Sequence, residues 1–123
     1  PSLVGAVKKD WASPNSIALS WQQPEETTLP IIDYEVKYYE KEQEQLSYSS
    51  TRTRAPSVIV SALKPATWYV FSVRTRTAGG YSSYSPKYEY QTTGDCEYTL
   101  SVPNITNINL CISFKVKYAE VIR

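Results

Sequence analysis

The sequence predicts an all-β fold, a seven-stranded antiparallel sandwich, and three observations carry this prediction. Apolar residues alternate with polar ones in short runs, and turn residues separate the runs. No stretch sustains the 3.6-residue apolar period of an amphipathic helix. Each run has one polar face, as expected for antiparallel sheets with one packed and one solvated side. The 123 residues suffice for one such domain and an appendage.

Seven strands are predicted in chain order, at residues 3–8, 16–22, 31–40, 46–52, 57–62, 69–77 and 87–92. In the second strand the inward residues are Ile17, Leu19 and Trp21. The third strand turns Tyr34, Val36 and Tyr38 inward and Glu35, Lys37 and Tyr39 outward. The sixth turns Tyr69, Phe71, Val73 and Thr75 inward and Ser72, Arg74 and Arg76 outward. Six prolines lie between the runs or at their ends, where a missing N–H does least harm: Pro14, Pro24, Pro30, Pro56, Pro65 and Pro86.

The stretch LKPATWYVF is the most specific structural signal in the chain. Leu63 and Pro65 precede Thr67 and Tyr69 with the spacing of a tyrosine corner. In such a corner, a tyrosine at the start of a strand bonds back to upstream backbone as the chain crosses between sheets. The alternative is an ordinary strand tyrosine without that bond.

With Trp21 in the second strand and the corner before the sixth, the chain resembles a fibronectin type III (immunoglobulin-like) domain. Four stretches, ALSWQQPEE, IIDYEVKYYEKEQEQ, LKPATWYVFSVRTRTAGGY and YQTTGD, resemble the second, membrane-proximal fibronectin module of Eph receptor tyrosine kinases. The A class fits better than the B class. The resemblance covers residues 1–94, and ETTLPIID departs from it, since the family usually has a Pro-Asn-Gly turn there. The structural core is expected to include Trp21, Tyr34, Val36, Leu63, Tyr69 and Phe71.

The resemblance implies an extracellular module on the cell surface, part of a receptor tyrosine kinase glycoprotein in ephrin signalling. Its role would be to position an upstream ligand-binding domain and to support receptor clustering. The implied partners are other receptor ectodomains in cis and ephrin, which binds through upstream domains outside this chain. The alternative is a cell-adhesion or cytokine-receptor type module that binds a protein ligand through its loops.

Several function classes are excluded by composition. The chain has no histidine, so Ser-His-Asp and Cys-His catalysis and histidine metal sites are absent, and no Gly-rich phosphate loop occurs. No enzyme, cofactor or metal is therefore expected here. A net charge of +1 argues against nucleic acid as a partner. The carboxylates at residues 25–26 and 40–44 are interpreted as solvated loops, against a weak cation site. The lack of methionine predicts an excised segment, and no apolar run is long enough for a membrane span.

Five cations are expected on one outer sheet face, because the third, fourth and sixth strands are neighbours in this fold: Lys37, Arg52, Arg54, Arg74 and Arg76. One interpretation is that they pair across strands with Glu35 and Glu89 and solvate the sheet. The other is a basic patch that meets an acidic membrane surface or a neighbouring receptor.

The stretch YSSYS has the spacing of the Trp-Ser-x-Trp-Ser box of cytokine-receptor fibronectin modules, just before the last strand. There the aromatics stack with arginines of the sixth strand. Arg74 and Arg76 alternate suitably here, so Tyr81 and Tyr84 are predicted to form an arginine–aromatic stack. The alternatives are plain loop exposure and a phosphorylation or binding role.

Residues 95–123 form a divergent tail, because the resemblance stops at Gly94. Alternating residues from 108 to 118 are apolar, yet the registers that a Cys96–Cys111 bridge and the apolar pattern require differ by one residue. We expect a tail that is disordered or loosely docked, without that bridge. We also expect an alternative C-terminus, which would make the product secreted rather than held at the extracellular side of the plasma membrane. Asn104 begins an N-glycosylation sequon.

Overall fold

The computed structural model describes residues 4–25, 29–43 and 48–94, which form two antiparallel sheets packed face to face. The predicted all-β fibronectin-like sandwich is confirmed. A single turn of 3₁₀ helix, Lys41–Gln43, follows the third strand. The strands are β1 (Lys8–Ala12), β2 (Ile17–Ser20), β3 (Ile31–Glu40), β4 (Ser49–Thr53), β5 (Ser57–Val60), β6 (Trp68–Thr77), β7 (Gly80–Tyr81) and β8 (Tyr88–Gln91).

The smaller sheet has the order β1-β2-β5, and the larger has the order β4-β3-β6 with β7 and β8 both pairing with β6. The long strands β3 and β6 form its centre, from the pair Ile31 and Thr77 to the pair Glu40 and Tyr69. β8 pairs with the first part of β6, and β7 pairs with its last two residues. The chain between β7 and β8 therefore runs beside the middle of β6.

The core lies between the two sheets and is built from the inward residues of both. Ile17, Leu19 and Phe71 are fully buried, and burying one such side chain stabilises a fold by about 1.5–3 kcal/mol. The rings of Trp21 and Tyr34 meet edge to face with centroids 5.3 Å apart. The core cluster contains Val4, Val7, Ile17, Leu19, Trp21, Tyr34, Val36, Val60, Leu63, Tyr69, Phe71 and Val73.

The tyrosine corner spans the crossing from the smaller to the larger sheet. The hydroxyl of Tyr69 accepts a hydrogen bond from the backbone N–H of Lys64 at 2.9 Å. Thr67 Oγ1 donates to the carbonyl of Pro65 at 2.8 Å, which tightens the same turn. Ala62 and Ala66 both have positive φ values, 60° and 50°, so the chain reverses through left-handed backbone on the way.

The first strand is displaced from its predicted position at residues 3–8, because the structure begins it at Lys8. Val4 and Val7 are buried in the core without belonging to a strand. Because these buried positions carry apolar residues, the sequence around them resembles that of a strand. The true strand is an edge strand with exposed residues from Lys8 to Trp11, and such a strand carries little alternation.

The other predicted strands lie within two residues of the observed ones at the ends that the structure describes. β5 ends at Val60 rather than at residue 62, where the left-handed backbone of Ala62 cannot continue a strand. β4 extends to Thr53, and the predicted residues 46 and 47 lie outside the described residues. The two-residue strand β7 was not predicted, so the described part of the chain has eight strands instead of seven.

The prediction of a solvated outer face fails for the central strands of the larger sheet. Glu35 and Tyr39 point outward as predicted, but they are 8% and 7% exposed, and Ser72 is 5% exposed. Over Glu35 the cause is a second layer of side chains, which includes Tyr84 and Arg52, and Lys87 lies over the ring of Tyr39. The predictions for residues 95–123, including Cys96, Cys111 and Asn104, concern residues outside the described ranges.

Candidate functional site

Glu35 is the centre of a polar cluster on the outer face of the larger sheet. The register of β3 sets it directly opposite Arg52 of β4 on one side and Arg74 of β6 on the other. Its Oε1 accepts from Arg74 Nε at 2.8 Å and lies 2.6 Å from Arg74 Nη2. The same oxygen accepts from the hydroxyl of Tyr84 at 2.7 Å, and Oε2 accepts from Arg52 Nη2 at 3.1 Å. One carboxylate thus joins three strands and the segment after β7.

Asp33 repeats this arrangement two residues earlier on the same face of β3. It lies opposite Arg76 and binds it with two parallel hydrogen bonds, of 3.0 Å from Nε and 2.7 Å from Nη2. Arg52 Nη1 reaches Asp33 Oδ1 at 3.4 Å, so Arg52 bridges the two carboxylates. The cluster is one network of paired charges.

Tyrosine rings and cations alternate above these carboxylates, and we call this arrangement the cation–ring column. The guanidinium carbon of Arg74 lies 3.8 Å from the ring centroid of Tyr81 and 4.6 Å from that of Tyr84. Lys37 Nζ lies 4.2 Å from the centroid of Tyr48 and 5.5 Å from that of Tyr84. The column comprises Tyr48, Lys37, Tyr84, Arg74, Tyr81 and Arg52.

The side chains of Tyr81 and Arg52 together span the width of the larger sheet. Tyr81 belongs to β7 at one edge, and its hydroxyl accepts from Arg52 Nη2 of β4, at the other edge, at 2.7 Å. Three strand spacings separate these edges, about 14 Å. Both side chains must therefore extend toward each other over β6 and β3, which explains why the residues beneath them are buried.

The pKa values in the cluster follow from its pairing. The hydrogen bond from Arg76 lowers the pKa of Asp33 despite the opposing effect of burial. Burial alone would raise the pKa of Glu35, but the hydrogen bonds from Tyr84 and Arg74 bring it below its usual range. Burial and the bond to Glu35 raise the pKa of Tyr84 to about 12. At neutral pH both carboxyl groups are ionised and Tyr84 remains a donor.

Two serines of YSSYS hold this segment against β6. Ser85 Oγ accepts from the N–H of Val73, and Ser82 Oγ accepts from the N–H of Thr75, both at 2.9 Å. The N–H groups of the same serines donate to the carbonyls of Val73 and Thr75. Tyr81 and Tyr84 are three positions apart, as are the two serines, and both rings lie over the outer face against Arg74.

The structure places the predicted stack residues as follows. It brings Arg74 together with Tyr81 and Tyr84, and it adds Arg52, whose guanidinium carbon is 5.6 Å from the centroid of Tyr81. Arg76 is bound by Asp33 and has no ring contact among the residues described here. The six predicted core residues all lie in the core cluster.

The predicted basic patch is largely paired, with Glu35 as predicted and with Asp33 in place of Glu89. Arg52, Arg74 and Arg76 form ion pairs with Asp33 and Glu35. Glu89 pairs with Lys41 instead, at 2.9 Å. The prediction that residues 40–44 form a loop without convergent partners is wrong for Glu40. This residue ends β3 and pairs with Lys64 at 2.8 Å.

Sequence reasoning missed Asp33, Ser82 and Ser85 as members of the site. Asp33 is two residues from Glu35, so outward alternation in β3 could have found it, as could the alternating Arg74 and Arg76 that it faces. The signal for the two serines was that each directly follows a tyrosine and that the two Tyr-Ser pairs are three residues apart. In an extended segment with three residues per turn, this spacing indicates that both serines lie on one side.

The cluster can orient side chains and bind a partner, but it offers no chemistry for catalysis. Within residues 4–25, 29–43 and 48–94, no group of carboxylate, histidine or cysteine side chains could hold a metal ion. The same residues include no helix that is long and apolar enough to cross a membrane. A cleft of about 340 Å³ lies beside the tyrosine corner, and Tyr38, Leu63 and Tyr69 are among its walls.

Two sheets, a tyrosine corner and an outer arginine–tyrosine layer define the class of the protein. The chain matches the family model described as "Fibronectin type III domain" over residues 7–91, and it belongs to that family. Such a domain is a structural module, and this segment is not catalytic.

Among individual proteins, the chain is similar to receptors of one class. It is 67% identical over 92 residues to ephrin type-A receptor 6 of Homo sapiens and 65% identical to that of Mus musculus. It is 45% identical over 92 residues to ephrin type-A receptor 7 of Gallus gallus. Each alignment covers 75% of the chain and 9% of the relative, so the chain spans less than a tenth of these curated relatives. The predicted similarity to a fibronectin module of an A-class Eph receptor is confirmed.

Solved structures agree on the fold. The solution structure of the fibronectin type-III domain of human fibronectin type III domain containing protein 3 has a TM-score of 0.69 at 22% identity, covering 79% of this chain and 90% of that one. Domains A168–A170 of titin also give a TM-score of 0.69, at 24% identity over 76% of this chain and 32% of that one.

Proposed function

We propose that this module is a rigid extracellular spacer of an ephrin receptor, in the membrane-proximal position. The observation that carries the proposal is the position of the first and last described parts of the domain, at Gly5 and Thr93. Gly5 donates to the carbonyl of Gln22, beyond one end of β2, whereas Thr93 donates to the carbonyl of Ser13, before its other end. The chain thus enters at one end of the sandwich and leaves at the other.

The distance between these ends is fixed by strand geometry. Residues 13–22 include β2 and run from one end to the other, which gives at most about 30 Å at about 3.3 Å per residue. The two sheets are joined by a packed core and by the tyrosine corner. Such a body sets both the separation and the rotation of the domains attached to its ends, which a flexible linker does not.

The proposal is tested in a cell-surface receptor of which this module is a part. Residues 4–94 are replaced by a Gly/Ser linker with the same root-mean-square span. We expect ephrin affinity to stay within about twofold, because binding would occur upstream, and ligand-induced clustering to fall severalfold. Unchanged clustering would contradict the spacer role.

The rival function is direct binding of a protein ligand through the loops, as in adhesion or cytokine-receptor modules. Ephrin is the ligand that the relatives' names point to. The spacer proposal expects no measurable binding when the 123-residue chain alone is titrated with ephrin ectodomain. Specific binding by the isolated chain would favour the rival.

Lateral contact with other receptor ectodomains is part of the proposal, and the module would work on the extracellular side of the plasma membrane. Contact with an acidic membrane surface stays a prediction. Three of the five cations proposed for it are paired with Asp33 and Glu35, which reduces the charge available to lipid headgroups. The alternative C-terminus, the secreted product and glycosylation at Asn104 also stay predictions, because they concern residues outside the described ranges.

A further inference from the structure

The outer face of the larger sheet presents positive charge outward and negative charge inward. The side chains of Arg52, Arg76 and Arg74 are 45%, 37% and 26% exposed, whereas those of Asp33 and Glu35 are only 10% exposed. With Lys37, four cations stand against two carboxylates and leave a formal charge of +2. An approaching ligand therefore meets the cations before it meets the carboxylates. Exposed Arg54 directly follows β4, two residues after Arg52.

The buried carboxylates also hold these guanidinium groups in place. Arg76 is bound through two parallel hydrogen bonds, and Arg52 is held by both carboxylates and by Tyr81. A long side chain that is already ordered loses less conformational entropy when it binds a ligand. The surface is preorganised for an anionic partner.

Aromatic surface lies directly beside this charge. Tyr81 and Tyr48 remain 40% and 60% exposed although each packs against a cation of the column. The face therefore alternates positive groups with flat apolar rings. A sulfated sugar chain has the matching alternation, with anionic sulfates around the apolar C–H faces of its rings.

We propose that this face binds a linear sulfated glycan, with sulfates on Lys37, Arg54 and the exposed edges of the arginines. Sugar rings pack on Tyr48 and Tyr81. A slender chain can reach Arg74 between its two tyrosines, whereas a flat bilayer would meet the protruding rings first. The proposal goes beyond the spacer function and does not depend on it.

The test measures binding of a size-defined heparin decasaccharide to the 123-residue chain by titration calorimetry in 0.1 M NaCl. Lys37→Gln combined with Arg54→Gln removes two cations and leaves the ion pairs of Asp33 and Glu35 intact. We expect the affinity to fall about tenfold, because a complex with two fewer cationic contacts releases fewer counterions from the glycan. Lys8→Gln combined with Lys9→Gln is the control, because it removes the same charge from β1 of the smaller sheet and should change affinity less than twofold.

The outcomes separate this site from general charge attraction. An equal loss in both double variants, or equal binding of an unsulfated chain of the same length, would overturn the proposal. So would binding to phosphatidylserine vesicles without binding to the decasaccharide, which would assign the face to a membrane. Urea midpoints of the two double variants within about 0.3 M of wild type establish that folding is unchanged.

Discussion

The outer faces of the two sheets differ although both belong to antiparallel sheets with a shared core. On the smaller sheet, Trp11, Ala18 and Ile59 form one cross-strand row, and Trp11 and Ile59 are 47% and 58% exposed. On the larger sheet, the row through Glu35 lies under tyrosines and arginines. A sheet face is thus buried or open according to what the chain does after the strand ends. Residues 81–84 return over β6, and nothing comparable covers the described part of the smaller sheet.

The largest expected effect is that of Glu35→Gln. The charge that Arg74 and Arg52 share disappears, and breaking a buried ion pair costs about 3–5 kcal/mol. Because these arginines are partly solvated, we expect a loss of about 2–3 kcal/mol in urea unfolding. Asp10→Asn, which alters the acceptor of Ser20 Oγ on the smaller sheet, is the control and should cost less than about 0.5 kcal/mol. If Glu35→Gln and Asp10→Asn lowered the free energy of unfolding equally, the outer faces of the two sheets would not differ in their contribution to stability.

Acid should weaken the larger sheet's outer layer selectively. The folded pKa values of Asp33 and Glu35 lie below their unfolded values, so their contribution is present above about pH 4 and is lost as pH falls through the folded values. We expect unfolding free energy to decline below pH 4 in the wild type and to decline less in the double variant Asp33→Asn, Glu35→Gln. Parallel pH profiles would argue against the network. Just below about pH 4 the effect should be smaller than that of Glu35→Gln, since the lowered folded pKa values keep part of both carboxyl groups ionised there.

The junction between the sheets should be the next most sensitive position. Tyr69→Phe removes the acceptor of the Lys64 N–H, and an unpaired, partly buried donor costs about 1–2 kcal/mol. Tyr48→Phe removes a hydroxyl from an exposed ring and should cost less than about 0.3 kcal/mol. If both variants unfold at the wild-type urea concentration, the corner contributes nothing to holding the sheets together.

Loosening the returning segment should have a smaller effect. Ser85→Ala removes the hydroxyl that accepts from Val73 and should cost about 1 kcal/mol. It should also speed the hydrogen exchange of the Val73 amide. Ser83→Ala, two residues earlier and exposed, is the matched control and should leave exchange unchanged.

The smallest effect is expected on the open face. Ile59→Thr keeps a β-branched residue in β5 and alters a side chain that is already 58% exposed. We expect a change of less than about 0.5 kcal/mol. A cost above 1 kcal/mol would mean that this face is covered after all.

Alternation was enough to predict the sandwich, because the inward sets of β2, β3 and β6 have a period of two. It failed at β1, where Val4 and Val7 are buried outside any strand. It also failed for the outward side of β3, because alternation assigns a face but cannot show what lies above that face. The spacing of Tyr81 and Tyr84 did predict contact with Arg74. Arg52 was assigned to the same face but not to the stack. Its contact with Tyr81 joins opposite edges of the sheet, and residue spacing along the chain does not reveal such a contact.

The serine hydroxyls that accept hydrogen bonds from the N–H groups of Val73 and Thr75 affect how closely copies of the module can pack without joining their strands. A bare strand edge invites the backbone of another molecule and can seed fibrous aggregates. Along the middle of β6 these donors are already bound to side chains, and the segment that supplies the hydroxyls carries Pro86, which has no N–H to offer. Copies of this module can therefore lie close together without adding strands along this part of β6.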